Sequence, residues 1–108
     1  MLDPQEFQLK SDEALGKLHR ALTKAADEHG FDTDFGGTLT IEFEEPPAKF
    51  VISPNAPVKQ VWVSAHQKSY KLDWDAARAE FVVPETGMSL KQVVEDAVAK
   101  QLGEPVAL

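Results

Sequence analysis

Pro57-Val58-Lys59-Gln60-Val61-Trp62-Val63-Ser64 reads as a β-strand, since β-branched and aromatic residues dominate it and a proline fixes its start. Alternation puts Val61 and Val63 on one face and Gln60, Trp62 and Ser64 on the other. The valine face belongs in a core. The opposite face then carries a tryptophan between a glutamine and a serine, where water is expected. A large aromatic in polar company is either covered by another part of the chain or offered to a partner. Covers within reach are the loop Pro54 to Pro57 and, as a cation–π contact, Lys71 on the next strand.

The chain before this strand supplies a helix and three strands. Over residues 5–29, Phe7, Ala14, Leu15, Leu18, Ala21, Leu22 and Ala25 recur at helical spacing and form one apolar stripe. Asp3 is the expected N-cap, Pro4 suits the first turn and Gly30 the stop. Glu6, Glu13, Lys17, Arg20, Lys24 and Asp27 face away from the stripe. Phe31 to Phe35 alternates, with Asp32 and Asp34 outward. Gly36-Gly37 turns the chain into Thr38 to Glu44, where Leu39, Ile41 and Phe43 point inward. These two strands form a hairpin with an acidic outer face. Glu45-Pro46-Pro47 is read as a turn, Lys49 to Ser53 as a third strand with Phe50 and Ile52 in the core, and Pro54 to Pro57 as another turn.

After Ser64, Gln67 to Trp74 alternates again, with Tyr70, Leu72 and Trp74 on one face and Lys71 and Asp73 on the other. Asp75 to Arg78 is a loop and Phe81 to Val83 a short last strand. Ser89-Leu90-Lys91-Gln92 has capping-box form, and Leu90, Val93, Val94, Ala97, Val98 and Leu102 make a second helical stripe. Gly103 and Pro105 end it. One apolar face per strand and one stripe per helix predict an α+β fold: a two-layer αβ sandwich, both helices packed on one face of an antiparallel sheet of five to six strands, in a single domain over residues 1–108.

Charge bounds the function. Through Glu45 there are eleven acids against four bases, a net −7 that equals the charge of the whole chain, and the remainder is neutral. This argues against nucleic acid as a partner and for cations or a basic protein surface. Solubility alone is the plainer account. With no cysteine in the 108 residues, disulfides, thiolate metal sites and cysteine nucleophiles are excluded. The acidic start shows no signal-peptide pattern and no run is long enough to span a membrane. His19, His29 and His66 lie in no catalytic or ligand motif. The carboxylates are the better lead. Asp32 and Asp34 point the same way about 7 Å apart, and Asp27 and Glu28 end the helix nearby. Such oxygen ligands select hard cations, here weakly, because no cage closes around them.

Three stretches together resemble the frataxin family in its bacterial form: Phe35-Gly36-Gly37-Thr38-Leu39-Thr40-Ile41, Pro57 to Ser64, and Tyr70-Lys71-Leu72-Asp73-Trp74. The likeness runs from about Gln5 to Gly103. It implies a cytoplasmic, non-enzymatic monomer that binds iron (Fe²⁺ or Fe³⁺) weakly, with other divalent cations as alternatives. It further implies docking on the cysteine desulfurase and scaffold protein of iron–sulfur cluster assembly, away from nucleic acid and membranes. By position, Glu6, Asp12, Glu13, Asp27, Glu28, Asp32 and Asp34 would form an acidic iron-binding ridge. Lys59, Gln60 and Trp62 would form the partner-binding sheet surface. Where bacterial members carry acids in the second half of the first helix, this chain has His19, Arg20, Thr23 and Lys24, so the ridge is interrupted and large iron-storing oligomers are not expected. A metal-independent acidic interaction module is the alternative, and a ferroxidase ranks last because no site for one is visible.

Overall fold

The computed structural model describes residues 3–44 and 47–108. Helix α1 (Pro4–His29) leads into strands β1 (Asp32–Phe35), β2 (Leu39–Glu44) and β3 (Pro47–Asn55). A 3₁₀ turn (Ala56–Val58) connects to β4 (Gln60–Ala65), then β5 (Lys68–Asp75), β6 (Glu80–Val82) and helix α2 (Leu90–Leu102). The strands form one antiparallel six-stranded sheet in chain order. Both helices pack on one face, as the alternation requires.

Local chemistry sets the helix ends. The Asp3 carboxylate accepts the Glu6 N–H at 2.8 Å, and Gly30, at φ +77°, closes α1 through its N–H to the Ala26 carbonyl. At α2 both bonds of the capping box are made: Gln92 N–H to Ser89 Oγ at 3.2 Å and Ser89 N–H to Gln92 Oε1 at 2.9 Å. Phe7, Leu15, Leu18, Leu22 and Ala25 are buried on α1 as expected. One polar residue joins them. Ser11 is fully buried, and its hydroxyl donates to the Gln8 carbonyl at 3.2 Å, so its burial leaves no orphan donor.

The core layer between helices and sheet holds Leu39, Ile41, Phe50, Ile52, Val61, Val63 and Leu72, all essentially without exposure. Two aromatic runs brace its ends. Phe31, Phe43, Phe50 and His66 succeed one another at 4.9–5.2 Å between centroids, and Phe7, Phe81 and Trp74 at 5.1–6.0 Å.

Two strands differ from the expectation by more than one residue at an end. The fourth strand starts at Gln60 rather than Pro57. Pro57 and Val58 sit in the 3₁₀ turn, and Lys59 takes the left-handed conformation at φ 53°. A proline fixes a φ that suits such a turn and brings no N–H to a ladder. Val58, read as part of the strand, is consequently exposed. The third strand is longer than Lys49 to Ser53. It contains Pro54, which lies beyond Leu39, the first residue of β2, so only β4 borders it and a proline is tolerated as on an edge. Of the turn expected at Glu45-Pro46-Pro47, Pro47 opens β3, and Glu45 and Pro46 lie outside the described residues. Among the described residues no helix is long and apolar enough to cross a membrane.

The β4–β5 hairpin turns on two residues, His66 (φ 52°) and Gln67 (φ 64°), in a geometry that normally selects Asn-Gly. Gln67→Gly is expected to relieve roughly 1–2 kcal/mol of left-handed strain against about 0.4–1 kcal/mol of added unfolded-chain entropy. Urea denaturation should therefore show a small gain in stability, whereas Gln67→Val should show a loss.

Candidate functional site

Read across the strands, the helix-free face of the sheet is a set of rows. One row is Ser53–Trp62–Lys71, and the next is Asn55–Gln60–Asp73. Trp62 is half-buried. The Lys71 ammonium sits 5.0 Å from the centre of its ring, the cation–π cover anticipated for it. The indole Nε1–H donates to Gln60 Oε1 at 3.0 Å, and Gln60 Nε2–H donates to Asp73 Oδ1 at 3.0 Å. Only one orientation of the Gln60 amide satisfies both neighbours, so Trp62, Gln60 and Asp73 form a fixed polar chain. The indole's single donor is thus engaged within the protein, and the open part of its surface is apolar. Asp73 was not among the expected site residues. The alternation of β5 already placed it outward, but only the β4–β5 register sets it beside Gln60. Lys59 does not lie in the row with Trp62, because its left-handed backbone takes it out of the strand alternation. Its charge is felt instead at the start of α1, where it adds a minor part to the lowered pKa of Asp3; the chief cause there is the Glu6 N–H that the carboxylate caps.

The acids divide into groups. On edge strand β1, Asp32 and Asp34 are exposed on the helix-free face. Across the hairpin Asp32 faces Glu42, and Glu42 in turn faces Lys49. Directly opposed side chains stand about 5 Å apart at Cβ, so Glu42 extends the acidic face. A two-residue Gly36-Gly37 turn would have set Asp32 against Ile41; the loop also takes in Thr38, which shifts the register by one and brings Glu42 opposite Asp32. On α1, the Gly16 backbone and the His19 ring meet Phe35, the latter at 5.8 Å. Helical spacing places Asp12 and Asp27 on this same flank. Phe35 meets α1 at the level of Gly16 and His19, so β1 runs back along the helix with its Asp32 end toward Asp27.

Three of the expected ridge acids lie elsewhere. Glu13 shares a groove with Lys10 and Lys17, and Glu28 stands with Lys24 near the C-terminal residues Ala107 and Leu108. Glu6 occupies the first turn of α1, where the helix dipole favours a negative charge. The interruption read from the sequence has a structural form. A Cβ on Gly16 would stand 3.9 Å from both the Arg20 guanidinium and the Phe35 ring, so Arg20 reaches back over the glycine into the flank between Asp12 and Asp27. Thr23 donates to the His19 carbonyl at 2.8 Å.

Among the described residues no three His, Asp or Glu side chains converge into a cage for a metal ion. The exposed carboxylates of β1 suit a hard cation held loosely, with water completing its shell. The histidines have structural neighbours: His19 meets Phe35, His29 Nδ1 lies 2.6 Å from Glu104, and His66 pairs with Gln101 at 3.1 Å while packing on Phe50.

Because Asp32 and Glu42 are like charges directly opposed, Asp32→Asn should raise stability by about 0.2–1 kcal/mol at low ionic strength. The gain should shrink as salt is added. Parallel urea titrations at the two ionic strengths measure it.

A family model for the frataxin-like domain matches residues 1–104. The iron-sulfur cluster assembly protein CyaY of Janthinobacterium sp. (strain Marseille) is 29% identical over 106 residues, covering 95% of this chain and 93% of that protein. Its namesake in Dechloromonas aromatica (strain RCB) is 25% identical over 107 residues, covering 99% of each. In three dimensions the chain is similar to frataxin from Psychromonas ingrahamii, with a TM-score of 0.76 at 24% identity over 97% of this chain and 96% of that one. That likeness bears on the fold.

Proposed function

This chain belongs to the frataxin-like family, and from that premise we propose that it acts in iron–sulfur cluster assembly as a non-enzymatic, weakly iron-binding regulator. It docks on the cysteine desulfurase and scaffold protein of that machinery in the cytoplasm. The observation that carries this reading is the shared face of the sheet. The acids of β1 and the braced indole of Trp62 lie on the same helix-free surface, one suited to a hard cation or a basic patch and the other to an apolar contact.

The parts divide the work by physics. Asp27, Asp32 and Asp34 supply exposed oxygen donors for iron as cargo, and their exposure keeps the ion exchangeable. The same charge steers a basic partner surface into encounter. Trp62 is the anchor. Its orientation is fixed before contact by Gln60, Asp73 and Lys71, so little side-chain entropy is lost on docking.

The alternative is a metal-independent interaction module. It is favoured by the guanidinium of Arg20, which divides the acidic flank, and by the lack of a three-carboxylate convergence among the described residues. A ferroxidase needs a defined metal–dioxygen site and ranks last.

Titration of the Asp32→Asn, Asp34→Asn double variant with iron, followed by NMR line broadening, separates the two readings. Loss of broadening at β1 is expected, and unchanged broadening there defeats the metal claim. Trp62→Ala should weaken capture by a cysteine desulfurase–scaffold complex by roughly 30-fold or more, as for a hot-spot residue. Pulldown with and without iron reads it, and undiminished capture removes Trp62 from the interface.

A further inference from the structure

On the helix-covered side, α1 and α2 leave part of the sheet unroofed. A groove of about 460 Å³ opens there, bounded by Trp74 and Phe81 of the sheet, Leu18 of α1 and Leu90 of α2. The two aromatics meet edge to face at 5.1 Å and give it a firm apolar wall. Three of the chain's eleven basic side chains stand in its lining: Lys10, Lys17 and Lys91. Lys10 is held with its ammonium 5.6 Å from the centre of the Trp74 ring. Among the described residues neither Lys17 nor Lys91 has an ion-pair partner. Glu13 and Glu80 are the acids of the groove, and Arg78 pairs with Glu80 at 2.9 Å. With Glu80 neutralised by Arg78, the side chains of the lining keep a local positive excess, which the carboxylate of Leu108, also in the lining, reduces but does not cancel, in a chain of net charge −7.

The volume falls in the range of small-molecule sites, roughly 300–1,000 Å³. An apolar wall excludes a wholly polar ion, and unpaired ammonium groups at its rim select against a neutral hydrocarbon. Together they specify an apolar body with one anionic head. Flexible, strongly hydrated lysine heads suit a single carboxylate that keeps some of its water. The start of α2 lies at the same rim, and its dipole has the right sign to assist.

We propose that this groove binds a small amphipathic carboxylate of the medium-chain aliphatic type. The site uses neither the acids of β1 nor Trp62, so it stands or falls apart from the role in cluster assembly. Titration of the 108-residue chain with decanoate, followed by amide and indole NMR shifts, tests it. Saturating shifts are expected at the Trp74 indole N–H and at the Leu18 and Leu90 amides. 1-Decanol, with the same body and no charge, should bind more weakly by about two- to fivefold. Lys17→Gln with Lys91→Gln should weaken decanoate to a similar degree, and both side chains are exposed, so the variant folds. Equal affinity for decanol, unchanged affinity in the double variant, or shifts centred on Trp62 overturn the proposal. So does groove-residue broadening that follows protein concentration and that decanoate does not relieve, which would assign the groove to self-association.

Discussion

Phe50, Ile52, Val61, Val63 and Leu72 form a continuous apolar layer that the two helices cover. Each such side chain contributes about 1.5–3 kcal/mol by leaving water. A slip of one residue in any strand pairing would move a whole row of them to the solvent side. One-sided burial therefore fixes the register of the sheet. Once the register is fixed, everything on the other face is fixed with it: Asp32 against Glu42, Trp62 between Ser53 and Lys71, Gln60 against Asp73. The outer surface is assembled by the core beneath it.

That surface carries features that do not stabilise the domain. Opposed carboxylates on β1 and β2 repel, and a half-exposed indole leaves apolar area in water. Part of this has a plain structural use, since charge on an edge strand discourages pairing with other chains. The bracing of Trp62 is harder to explain that way. A half-buried indole N–H calls for an acceptor in any case, but the chain continues through Gln60 to Asp73 and so fixes the ring as well. Holding one rotamer ready lowers the entropy lost on contact, which is what a recognition surface requires.

The helix side shows the complementary pattern. There the acids are interleaved with lysines, and the groove beside Trp74 and Phe81 gathers basic groups in a strongly acidic protein. Two surfaces of different character thus lie on opposite sides of one sheet, the Trp62 face with the acids of β1 and Glu42, the Trp74 side with a groove lined by three lysines. The alternation of β4 and β5 separates the two tryptophans, sending Trp62 outward and Trp74 toward the helices.

The two-layer fold was legible in the sequence because its signals are local: stripes at 3.6-residue spacing, alternation in β2, β4 and β5, Asp3 and Ser89 as caps, and Gly30 and Gly103 as stops. The start of β4 was not legible because strand propensity in Pro57-Val58 competes with a proline's preference for a turn, and neighbouring strands decide that contest. The burial of Ser11 was not legible either, because a hydroxyl satisfied by its own helix gives no apolar signal. By itself the sequence determined which residues face inward and that surplus acid is confined to the first half. Only the tertiary structure decided that Glu13 and Glu28 leave the acidic flank, that Arg20 folds over Gly16 into it, and that Asp73 completes the support of Trp62. Those outcomes depend on which element packs beside which and at what level, and no local pattern of residues encodes that.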